Sequence, residues 1–227
     1  MKIAFYIVGL AVFALLVPFF LPSTPPASTD HPNQNLPWQI TVDAQGHSTV
    51  FGLTPSRSTL ADVRQQLGED MEIAIVAAPG EVGEVEAYYS QVSLGFVMGR
   101  VIFTLDATPA TITAMRDRAL KAEHMESSTK KISLHPDDLA HANALPIRAI
   151  GLLPSANLDE ATVLQRFGAP KERITVGETL THFLYPNLGL DVVLDTKGKE
   201  VLQYVAPKDF ETRIRAPLLA TQAKPQP

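Results

Sequence analysis

Cysteine is absent from the 227 residues. That excludes disulfides, thiol nucleophiles, thiolate metal sites and a lipid-modified cysteine behind a signal sequence. Basic runs are missing too: Lys+Arg number 19 against 24 Asp+Glu. Without a basic stripe to neutralise phosphates, nucleic acid is not expected as a partner. The chain also lacks Gly-x-Ser-x-Gly, a P-loop, a dinucleotide fingerprint and His-Glu-x-x-His, so no established catalytic motif is in view and no cofactor is expected.

What is present begins with an uncharged stretch from Ile3 to Leu21. As a helix it measures roughly 28 Å, near the ~30 Å hydrocarbon thickness of a bilayer. Lys2 precedes it, and no Lys or Arg follows until Arg57. The positive-inside rule then predicts a single-pass inner-membrane anchor, with the C-terminal body in the periplasm. The alternative is a cleaved signal peptide and a secreted or periplasmic protein; the run exceeds the usual h-region length, which favours the anchor. Residues 22–37, with Pro22, Pro25, Pro26, Pro32 and Pro37, read as an extended linker.

Beyond the linker one pattern occurs twice. Gly52-Leu53-Thr54-Pro55-Ser56 leads into Leu60–Leu67 and stops at Gly68; Gly151-Leu152-Leu153-Pro154-Ser155 leads into Leu158–Phe167 and stops at Gly168. Each reads as a strand end, a turn, a capped short helix and a glycine stop. Thr59 and Asp62 have capping-box spacing, and Asn157 stands as the second cap. Strand-like runs follow both helices. In the second half Leu188, Leu190, Val192 and Leu194 alternate with Gly189, Asp191 and Asp195, which predicts one buried and one wet sheet face. Thr108 and Pro109 open a further helix expected to reach about Ala122.

The fold class expected is α+β: two related units, each a short helix followed by an antiparallel sheet of about four strands, after an N-terminal transmembrane helix. The boundaries are 1–21 for the anchor, 22–37 for the linker, 38–122 for the first unit, 123–146 for a connection, 147–215 for the second unit and 216–227 for a disordered tail. The Gly-x-x-Pro-Ser turn, the helix carrying Val63/Leu67 or Val163/Phe167, and the closing glycine, followed in the second copy by Ala169-Pro170, resemble the SmpA/OmlA (BamE) family of envelope lipoproteins. The tandem arrangement is similar to the fold of β-lactamase inhibitory proteins. What the resemblance implies is a non-catalytic protein-binding module of the bacterial cell envelope, an accessory to outer-membrane protein assembly or an inhibitor of an enzyme. It brings no catalytic residues.

Two clusters are candidates for function. Glu81, Glu84 and Glu86 fall in a stretch without Lys or Arg, beside Tyr88 and Tyr89. Together they predict a docking face for a basic envelope protein, with the tyrosines as exposed anchors; the plain alternative is a solvated sheet face. His135, Asp137 and His141 offer the one metal-like spacing, and with it the rival reading of a metal-dependent periplasmic enzyme. Pro136 with Asp137 and Asp138 is also what a helix start favours. His182, between Leu180 and Leu184, reads as a satisfied sheet histidine.

Overall fold

The Thr59 capping box forms as its spacing requires: the Thr59 side chain accepts from the Asp62 amide, and the Asp62 carboxylate accepts from the Thr59 amide. It starts α1 (Leu60–Leu67), which buries Leu60 and Val63 and ends at Gly68. The corresponding helix α4 (Glu160–Phe167) is capped by Asp159, whose carboxylate accepts from the Thr162 amide at 2.7 Å, and not by Asn157. Both glycine stops carry the same lock. Tyr89 donates its hydroxyl to the Gly68 carbonyl at 2.6 Å, and Tyr185 donates to the Gly168 carbonyl at 2.9 Å. Each such bond is worth about 1 kcal/mol.

The structure, a computed structural model, describes residues 34–125 and 129–222. After a small ribbon of β1 (Thr41–Val42) and β2 (Ser48–Thr49) come α1, β3 (Glu72–Ala77), β4 (Glu84–Leu94) and β5 (Val97–Leu105). Then follow α2 (Pro109–Asp117), β6 (Lys121–His124), β7 (Lys130–Ser133), α3 (Pro136–Ala144) and β8 (Ile147–Pro154). The chain ends with α4, β9 (Glu172–Val176), β10 (Leu180–Tyr185), β11 (Leu190–Asp195), β12 (Val201–Val205) and α5 (Ala216–Gln222).

These strands correct the expected architecture. Instead of two helix-plus-four-strand units, among the described residues ten strands form one antiparallel sheet in the order β6-β7-β3-β4-β5-β8-β12-β11-β10-β9, accompanied by five α-helices. The reason lies at β8, which pairs with β5 on one side and β12 on the other. Edges that would stand open in two smaller sheets are thereby consumed. The connection expected at 123–146 also contributes to the sheet, through part of β6 and all of β7. Helix α2 stops at Asp117, so that Lys121–His124 can pair with β7. The expected membrane span at 3–21 and most of the linker lie outside the described residues. Among the described residues, no helix is long and apolar enough to cross a membrane.

One sheet face carries the larger core. Val85, Tyr89, Phe103, Leu152, Phe183, Val192 and Tyr204 pack there with Leu60 and Val63 of α1 and Val163 of α4. The opposite face is not wet, as alternation along β11 suggested. Asp191 is fully buried, and its Oδ2 lies 2.8 Å from Nδ1 of the buried His182. Part of this face is covered by the C-terminal segment: Phe210, Ile214 and Leu218 pack on Ile174, Leu184 and Val205. A π-helical stretch (Glu211–Arg215) leads into α5, and Arg215 holds Glu172 of β9 at 2.6 Å. Residues 216–222, expected to be disordered, are therefore helical, because burying Leu218 on the sheet gives the segment a reason to order.

Candidate functional site

Strand β4 sends Val85, Ala87 and Tyr89 into the larger core, and Glu84, Glu86 and Tyr88 to the opposite face. There Glu86 stands opposite Thr104 of β5, which stands opposite Ala149 of β8, which in turn stands opposite Val205 of β12. The floor of the site is this row across four strands. Residues 80–83, Pro109 and Ile112 of α2, and Thr212, Arg213 and Ile214 of the C-terminal segment add further walls. The cavity, open to solvent on one side, has a volume of about 610 Å³, a size suited to a small ligand.

Arg148 reaches this cavity through an irregularity in the sheet. Thr104 opposes Ala149, but Leu105 opposes Ile147, so Arg148 is an extra residue on β8. Strict alternation would pair it with the core-facing Ile150; a bulge re-aims it. Its guanidinium lies 2.5 Å from Oε2 of Glu84. Loop 80–83 is held from outside by Arg116, which donates to the carbonyls of Glu81 and Val82. Gly83 allows the loop to lie close to β3: a Cβ there would meet the Val76 carbonyl at 2.6 Å.

The electrostatics are unbalanced at Glu86. Only 7% of its surface is exposed, and its Oε2 has no hydrogen-bond partner among the described residues. Burial, reinforced by the charge of Glu84 and opposed by Arg148, pushes its carboxyl up to about 8. Glu84 is also raised, chiefly by burial, against the pull of Arg148. Arg213 is lowered, first by burial and then by repulsion from Arg148; Asp209, 3.9 Å away, acts in the opposite direction. Gln203 and Thr104, both largely buried, complete the polar lining.

The docking face expected from sequence is thus rearranged. Glu81, Glu84 and Glu86 do come together, as cavity lining and not as an open face. Tyr88 and Tyr89 point to opposite sides of the sheet and are 4% and 2% exposed, so neither is a surface anchor. The second sheet face is covered in part by the C-terminal segment, which an alternation pattern read strand by strand does not reveal. The metal-like trio is resolved differently. His135 is the N-cap of α3, its Nδ1 accepting from the Asp137 amide at 3.2 Å, while His141 sits exposed in the last turn. Among the described residues, no group of three or more His, Asp or Glu is placed to hold a metal ion.

Sequence reasoning missed Arg148, Arg213 and Gln203. For Arg213 a signal existed: Phe210, Ile214 and Leu218 recur every four residues, the stripe of a covering helix. For Arg148 there was none, since the bulge depends on pairing with a distant strand. The exposed aromatic also proved to be a different one. Phe96, 56% exposed at the β4–β5 turn, meets Trp38 in a tilted ring contact at 5.8 Å between centroids, and Arg166 lies over Trp38 at 4.3 Å.

Fold and site together define an antiparallel α+β protein with a ligand-sized cavity on one face of its sheet, mostly apolar in its walls and carrying a few charged groups. The chain matches no protein-family model, and no curated protein or solved structure is significantly similar to it.

Proposed function

We propose that the protein is a non-catalytic binding module of the bacterial cell envelope, and that its ligand occupies the cavity between the sheet and the C-terminal segment. The observation that carries this reading is Glu86, a buried carboxyl with an unsatisfied oxygen in the wall of a cavity large enough for a small molecule. A buried polar atom without a partner costs on the order of 1–3 kcal/mol, which a ligand relieves. The envelope address rests on the apolar stretch from Ile3 to Leu21. Ligand-observed NMR with a fragment library tests the reading. Fragments are expected to bind the full-length protein, to be recovered unchanged, and to be lost from Ala149→Phe, which fills the cavity from β8. Equal binding to that variant would remove the cavity reading, and conversion of a fragment would remove the non-catalytic one.

A second reading, recognition of an envelope protein partner, is favoured by the Trp38, Phe96 and Arg166 cluster. Tryptophan and arginine are enriched among residues that dominate interface energies. Crosslinking in intact cells is expected to capture a reproducible partner with wild type and to lose it with Phe96→Ser at unchanged melting temperature. The same capture by both proteins would exclude this surface.

A further inference from the structure

Granted that the cavity takes a ligand, we propose that the ligand is a small organic cation, a protonated primary amine with an apolar body, whose ammonium group seats against Glu86 and Glu84. The charges facing the cavity are unequal. Arg148 is committed to Glu84 at 2.5 Å, and Arg213 lies 3.9 Å from Asp209. Among the described residues, no cation forms an ion pair with Glu86, and its Oε2 has no hydrogen-bond partner. It shares with Glu84 the influence of Arg148 alone, while Arg213 and Asp106 act on Glu84. What the cluster lacks is one positive charge that also donates hydrogen bonds. An ammonium group supplies both, with three N–H donors.

An anion entering here meets the carboxyl pair, an apolar body leaves the Glu86 oxygen unsatisfied, and a neutral hydroxyl supplies a hydrogen bond but no charge. The half-exposed Glu81 lines the same cavity and adds negative charge, which raises the local concentration of cations. Ile112, Val205 and Ile214 offer apolar wall to the rest of the ligand.

The empty site solves its imbalance with a proton. With its carboxyl pushed up to about 8, Glu86 is mostly protonated at pH 7. Binding then exchanges one charge for another: the ammonium enters, the Glu86 O–H bond breaks, and the proton leaves to the buffer. Affinity should rise with pH up to about 8 and level off above it, since the amine itself stays charged in that range.

Calorimetry on the full-length protein with hexylamine, hexanol and hexanoate decides the matter. Hexylamine is expected to bind at least tenfold more tightly than either analogue. It should release about one proton at pH 7, read from the dependence of the heat on buffer, and almost none at pH 9.5. Glu86→Gln should abolish the proton release and weaken hexylamine at least tenfold while remaining folded. Preferential binding of hexanoate or hexanol, or hexylamine binding without proton release at pH 7, overturns the cation assignment and leaves the cavity reading standing. Absence of binding by all three, together with failure of the fragment screen, overturns both.

Discussion

Gly189→Ala is expected to lower the stability of the protein by about 4 kcal/mol or more, among the largest effects of any single methyl group in the chain. Gly189 follows the 3-10 turn Pro186–Leu188 with φ 68° and ψ 26°, the left-handed region. An L-residue there costs about 1 kcal/mol through conformation alone. The remainder comes from a close approach. A Cβ at this position would lie 2.0 Å from the Val205 carbonyl oxygen and 3.2 Å from Cδ of Pro207. Neither is a flexible side-chain end that can swing away. Relief requires moving β12, and with it the bond from the Val205 amide to the Gly189 carbonyl at 2.8 Å. Because β12 pairs with β8, the displacement reaches the middle of the sheet. Thermal unfolding should fall by about 10 °C for a chain of this size. Gly46→Ala provides the control: its φ is 79°, but a Cβ there meets nothing within 4 Å, so only the conformational cost of about 1 kcal/mol applies. Similar losses at the two sites would refute the close-approach account.

Gly189 also shows where the sequence was readable and where it was not. The Thr59 capping box and both glycine stops were legible because each depends on residues within one turn. Leu190 and Val192 were rightly placed in a core from alternation alone. Asp191, between them, was misplaced on a wet face. Its burial depends on His182 in the neighbouring strand and on whatever packs over that face, and neither shows in a period-two pattern. The single sheet was illegible for the same reason: β5 meets β8, and β8 meets β12, through backbone groups every strand possesses. Half of the site was legible. Glu84 and Glu86 were placed on one side of a strand, where they are; that this side forms a cavity wall facing Arg148 required a bulge set by distant pairing.

Glu86→Gln, the change that removes cation binding, is expected to stabilise the empty protein above neutral pH. Folded Glu86 holds its proton up to about 8, against an ordinary value of 4.5. Folding therefore takes up a proton between those two values. The contribution of this group to stability is fully present below pH 4.5, declines as pH rises through the window, and is gone above about 8. The gap corresponds to about 5 kcal/mol if the charged carboxylate stays dry. Water entering the cavity solvates part of that charge, which brings the expected gain of the glutamine variant to about 3 kcal/mol at pH 9. At pH 5, where wild-type Glu86 is neutral when folded and largely ionised when unfolded, the sign reverses or the difference vanishes. Glu84 and Asp191 are raised by burial, whereas hydrogen bonds lower Asp43, Asp159 and Glu172. Asp191, Asp43, Asp159 and Glu172 shape both curves alike and cancel on subtraction, whereas Glu84 acts on Glu86 through its charge, so the difference reports Glu86 together with its coupling to Glu84. Chemical denaturation across pH 5–9 measures the difference. Parallel curves would mean that Glu86 finds a partner or ionises freely in the folded state, and the imbalance on which cation recognition depends would not exist.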